Sequence, residues 1–142
     1  MQERLKDILL LPNRQEVFGK VLNEFRLKKG LSLRELATDL NISHVYLRDI
    51  ELGKKTPPGD MLLIKFAQVL HLNKQEKELF FDLAALAKEA KNPKNYYLPA
   101  DISLYLSSMP SVRKYIRRAN ELNLTSEDWQ NLFQQLENDN KQ

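Results

Sequence analysis

Apolar residues recur at helical spacing along most of the chain, and no stretch alternates as a half-buried strand would. The clearest pattern lies in residues 31–53, LSLRELATDLNISHVYLRDIELG. Ser32 followed by Glu35 is a capping box: the serine oxygen takes an orphan amide while the glutamate reaches back. Leu33, Leu36, Ala37 and Leu40 then give the first helix one apolar face. Asn41, Ile42 and Ser43 interrupt it, and Ser43 is placed as the N-cap of a second helix. In that helix Leu47 and Ile50 face inward, leaving His44, Val45, Arg48 and Asp49 outside. Gly53 stands where a left-handed residue ends a helix. The pattern predicts two short helices joined by a tight turn.

The rest of the chain reads as helix too. Pro57, Pro58 and Gly59 form a loop, and Asp60 opens a helix whose inward stripe is expected to include Met61, Ile64, Phe66, Ala67 and Leu70. Asn73 with Glu76 caps another, carrying Leu79, Phe80, Leu83, Leu86 and Ala87 and ending near Lys91. The break NPKNYYLPAD then marks a domain boundary. Three short helical patterns follow at 102–106, 112–122 and 126–136. Pro110 suits the first turn of the middle one. Thr125 with Asp128 caps the last, whose stripe is Trp129, Leu132, Phe133 and Leu136. The expectation is an all-α chain: an N-terminal extension (1–15), a helical domain (16–92) and a small helical C-terminal region (93–142).

Two short helices and a turn occur in many bundles. Here the turn is short, the second helix has a polar outer face, and basic residues crowd both flanks: Arg26, Lys28 and Lys29 before it, Lys54 and Lys55 after it. An outer face with a charge, a ring and an apolar contact suits base edges in a major groove. Residues 18–71 resemble the Xre/Cro-repressor helix-turn-helix family. The Lys-Gly-Leu-Ser link, Ala37, Tyr46-Leu47, Ile50-Glu51, Gly53 and the Gly-Lys-Lys-Thr-Pro-Pro loop carry the resemblance together.

That resemblance implies a five-helix, lambda-repressor-like domain that binds double-stranded DNA. It puts a structural ion pair on Arg26 and Glu51, and base contacts on His44, Val45 and Asp49 with Tyr46 and Arg48 beside them. It puts phosphate contacts on Leu33, Arg34, Ser43, Lys54, Lys55 and Thr56. Leu52 departs from the family, where a polar residue is common before the glycine. The segment from Tyr97 to Trp129 is similar to tails of Xre-type regulators from Gram-positive bacteria and their mobile elements.

Composition narrows the classes. The chain has 142 residues, a formal charge of +3 and no cysteine, so disulfides and thiolate metal sites are excluded. The surplus of positive charge falls before residue 93, and the remainder balances its charges. His44 and His71 stand alone without a partner at ligand spacing, so no metal or cofactor is expected. There is no Gly-rich phosphate loop and no catalytic triad spacing. Ser103, Ser107, Ser108 and Ser111 lie on helical segments rather than in the β-rich domain a self-cleaving repressor needs. No catalytic residue is expected. The apolar run at residues 8–11 is too short for a signal peptide or a membrane span, which points to the cytoplasm and, on DNA, to the nucleoid.

The C-terminal region admits two readings: a helical extension that completes the core, or a dimerisation surface anchored by Tyr105, Tyr115, Trp129 and Phe133. Symmetric operators need two reading units, so a homodimeric repressor is expected. The alternatives are an antitoxin whose C-terminal helices wrap a toxin, and a mobile-element repressor inactivated by a partner protease.

Overall fold

The computed structural model describes residues 2–141; Met1 and Gln142, the outermost residues of the expected first and third segments, lie outside the described residues. Among the described residues all regular structure is α-helix. By packing, the chain forms two compact units that divide after Leu104, beyond the 92/93 break read from the sequence.

In the first unit α1 (Gln2–Leu9), α2 (Arg14–Lys28), α3 (Leu33–Leu40), α4 (His44–Glu51), α5 (Asp60–Val69) and α6 (Lys74–Lys91) share one core. Helix α2 is the axis, packing against α1, α4 and α6. Phe80 of α6 is fully buried, with ring centroids 5.2 Å from Phe18, 6.0 Å from Phe66 and 6.4 Å from Phe25, so α2, α5 and α6 meet on one aromatic cluster. Leu36, Leu40, Leu47 and Ile50 seal it from the side of α3 and α4.

Two details depart from the apolar pattern. On α5, Met61 is 73% exposed while Leu63 is buried, so the inward stripe is Leu63, Phe66, Ala67 and Leu70, with Ile64 only partly buried. On α6, Leu86 is exposed. The segment 1–15 also holds a helix the pattern did not announce. Leu5 and Ile8, one turn apart, lay α1 on the core, and Arg4 reaches buried Glu24 at 2.9 Å.

Helix α7 (Ala100–Ser108) begins in the first unit, where Ala100 is buried. The second unit continues with α8 (Pro110–Glu121) and α9 (Ser126–Asp139). Pro110 occupies the first turn of α8, and Thr125 with Asp128 forms the capping box of α9. Arg113 donates to the carbonyls of Leu106 and Ser107 at 2.7 and 2.9 Å, satisfying the orphan acceptors at the end of α7. Tyr115 and Trp129 meet with ring centroids 6.3 Å apart. Among the described residues of this unit only Ala119 is buried.

Candidate nucleic-acid interface

Local chemistry forms the α3–α4 corner. Ser32 Oγ accepts from the Glu35 amide at 3.0 Å while Glu35 accepts from the Ser32 amide at 2.9 Å. Asn41 adopts the left-handed conformation (φ 57°) that stops α3, and its side chain type tolerates that geometry. The amides of Asn41 and Ile42 return to the carbonyls of Thr38 and Ala37, so the chain reverses within three residues. Ser43 then caps α4 by accepting from the Tyr46 amide at 3.0 Å.

The inner side of α4 is fixed by Leu47 and Ile50, both fully buried, and Tyr46 packs half-buried beside them. His44 and Arg48 are exposed and Val45 is 57% exposed. Asp49 is half-buried, and its carbonyl accepts from the amides of Lys54 and Lys55 at 2.8 and 3.3 Å, folding the loop back under the end of α4. Lys54 and Lys55 point to solvent, whereas Thr56 is half-buried. Arg34 is exposed in the first turn of α3; the Leu33 side chain packs partly on the core, leaving its backbone amide at the helix start. Helices α3 and α4 and the loop after them thus present exposed side chains, a helix N-terminus and the exposed cations Arg34, Lys54 and Lys55. That combination offers donors to phosphate and varied groups to base edges.

The end of α4 is anchored by charge. Arg26 Nε donates to Glu51 Oε1 at 2.7 Å and its Nη2 to Oε2 at 3.2 Å, a two-pronged pair that is almost fully buried. The third prong, Nη1, donates to the Leu31 carbonyl at 3.0 Å and so ties the α2–α3 link to the same knot.

Residues 22–77 match the helix-turn-helix family model of the Xre/Cro type. Over these residues the chain is similar to Xre/Cro-type helix-turn-helix domains. Two curated relatives are similar to it, both named transcriptional regulator ClgR, from Mycobacterium tuberculosis strains CDC 1551 / Oshkosh and ATCC 25618 / H37Rv. Each is 40% identical over 48 residues, which is 34% of this chain and 43% of the relative. The match therefore spans less than half the length of these relatives. No solved structure matches the chain.

Three residues of this helix-turn-helix region and its entry escaped the sequence reading. Gln15 donates to the Gly53 carbonyl at 2.7 Å, and Asn23 donates to Glu51 at 3.4 Å, so both steady the C-terminal end of α4 from α2. Gly19 lets α2 cross that end at backbone contact, because a Cβ there would collide with the carbonyl oxygens of Ile50 and Glu51. A glycine inside an apolar helical stretch was the only available signal for such a close approach. Gly53 takes φ +74° with Glu16 backbone close by, so another residue there would be strained and would press on that backbone. Among the described residues no cluster of three or more His, Cys, Asp or Glu is placed to hold a metal, and no helix is long and apolar enough to cross a membrane.

Proposed function

We propose that the chain is a sequence-specific double-stranded DNA-binding regulator of transcription, acting in the cytoplasm as a two-fold dimer that occludes a promoter. One observation carries the reading. Helix α4 is pinned on its inner side by Leu47, Ile50 and the Arg26–Glu51 pair, while His44, Val45 and Arg48 stand free on its outer side. A rigidly seated helix with an exposed, chemically mixed face is what major-groove readout needs.

In this reading His44 and Val45 meet base edges at the N-terminal end of α4. Asp49, one turn on, accepts from a cytosine amino group, the one base contact an acid makes well. Arg34, Ser43, Lys54, Lys55 and Thr56, with the amide of Leu33, hold phosphates and set the register. The pairing of two such domains falls to the region after Lys91, through Tyr105, Tyr115, Trp129 and Phe133. It spaces the recognition helices by about one duplex turn, roughly 34 Å. No catalytic step belongs to this function.

Selection of bound duplexes from a random pool tests it. The expected product is an inverted repeat with half-sites about ten base pairs apart, centre to centre. His44→Ala and Asp49→Ala should each relax the preference at one position of each half-site, costing on the order of 1–3 kcal/mol there. Lys54→Gln should instead weaken all duplexes alike and reduce the salt slope by about one. A pool that returns no enriched sequence would end the specific-binding reading.

A further inference from the structure

In the second unit, Tyr115 of α8 and Trp129, Leu132, Phe133 and Leu136 of α9 line an open groove of about 440 Å³, with Asp139 also on its wall. Phe133 and Leu136 are 60% and 59% exposed, so the stripe of α9 is only half answered within the protomer. The charges beside this groove are segregated. Helix α8 carries Arg113, Lys114, Arg117 and Arg118 against a single acid, Glu121, whereas α9 carries four acids and no Lys or Arg.

Opposite charges on adjacent helices would be expected to pair with each other, yet among the described residues no ion pair joins α8 to α9. The pair that does form in this unit, Arg118 with Glu121, lies within α8 and is exposed on both sides. Glu137 and Asp139 sit in the last turn of α9, the end where the helix dipole disfavours an acid, and no basic residue lies in that turn to offset them. Helical spacing sets Glu137 and Asp139 on opposite flanks of the Leu136 stripe. On α8 it sets Lys114 and Arg118, four residues apart, on one edge of the Tyr115 face. An apolar strip edged by cations on one helix and acids on the next is complementary to its own copy under a two-fold rotation, as an isologous interface requires.

We infer that the groove is covered by a second copy of this chain, two-fold related, with Lys114 and Arg118 of each copy facing the partner's Glu137 and Asp139. This rests on the dimeric reading above and adds to it the contact surface and its charge register. The rings of Tyr115, Trp129 and Phe133 form the desolvated centre, and the charged residues form the rim that fixes orientation.

The test uses the full chain in analytical ultracentrifugation at micromolar concentration. One variant carries Lys114→Glu with Arg118→Glu, the other Glu137→Lys with Asp139→Lys. All four side chains are exposed, and circular dichroism checks that each variant keeps its helix content. Each variant alone should self-associate on the order of tenfold or more weakly than the parent, because every rim contact becomes repulsive. An equimolar mixture should recover the dimer, since the heterodimer restores attraction at both rims. The milder Lys114→Gln with Arg118→Gln should shift the constant in the same direction by less. A parent dimer that neither variant weakens, or that mixing does not restore, overturns this arrangement while leaving the dimer itself intact. A parent monomer at micromolar concentration overturns both.

Discussion

Residues 2–104 and residues 105–141 are built from the same kind of helix and reach opposite results. In both, helices start on side-chain caps: Ser32, Ser43 and Asn73 in the first unit, Thr125 in the second. In both, apolar residues follow the helical period. In the first unit those stripes converge, so that Phe18, Phe25, Phe66 and Phe80 are each at most 1% exposed. In the second only Ala119 is buried among the described residues, while Tyr105, Tyr115, Ile116, Leu122, Phe133 and Leu136 all lie open. Capping and periodicity decide whether a helix can form; the number of helices that share a core decides whether its apolar side is covered. Five or six helices can enclose a centre. Two helices and the end of a third cannot, so their apolar side stays open.

The sharpest way to break this contrast is to remove one ring from each unit. Phe80→Ala takes away the residue on which four other rings converge, and should destabilise the chain by about 3–5 kcal/mol in urea denaturation. Phe133→Ala removes a ring that is 60% exposed, and should cost less than about 1 kcal/mol when measured at concentrations too low for self-association. If the two losses are similar, the second unit has a core of its own and the comparison fails.

A somewhat smaller effect is expected where charge rather than packing seats the end of α4. Arg26→Ala leaves Glu51 buried with, among the described residues, only the long contact from Asn23, and should cost about 2–4 kcal/mol. Replacing the exposed Arg118, whose partner Glu121 is equally exposed, should change stability by less than about 0.5 kcal/mol at concentrations too low for self-association. Thermal unfolding of the two alanine variants gives the ratio. Comparable shifts would mean that the Arg26–Glu51 knot is no stronger than a surface pair.

These differences explain what could be read from the sequence. The α3–turn–α4 corner was legible because its determinants are local: caps three residues apart, a left-handed turn, and a glycine stop. The Arg26–Glu51 pair came only through family resemblance, since nothing local joins residues 25 positions apart. Helix α1 was missed because its short apolar pattern, Leu5 and Ile8, follows no capping signal and gains its order from packing on α2. On α5, DMLLIKFAQV is apolar almost all round, so periodicity gives no unique phase, and packing chose Leu63 over Met61. Gln15, Gly19 and Asn23 owe their importance to where α2 crosses α4, which is a tertiary fact.

With little buried surface to hold it, the second unit should depend more on its cap. Thr125→Ala removes the acceptor for the Asp128 amide and should cost about 1 kcal/mol locally. Ser32→Ala removes an equivalent cap from α3, but Leu36 and Leu40 remain buried there. Hydrogen exchange should therefore show faster opening along much of α9 in the first variant, and fraying confined to the first turn of α3 in the second. Equal spread of exchange in both helices would show that the core does not limit fraying.

The smallest effect concerns acid, and its sign differs between the units. In the second unit the Asp128 carboxylate is held below its ordinary range by the Thr125 amide and hydroxyl, so its contribution persists until pH falls through that lowered value. In the first unit Asp82 of α6 is shifted the other way, by partial desolvation and by the nearby carboxylates of Asp101 and Glu78. A carboxyl with a raised pKa in the fold binds its proton more tightly there than in the unfolded chain. Its ionisation therefore weakens the fold as pH rises from the ordinary value, about 4, through the raised one, and the penalty is fully present at neutral pH. Because Asp82 is exposed, the penalty is less than about 0.5 kcal/mol. Asp82→Asn should raise stability slightly at pH 7, and the gain should fade as pH is lowered towards 4. Urea titrations of parent and variant at several pH values measure it, and a gain that stays constant down to pH 4 would show that charge at Asp82 is not its source.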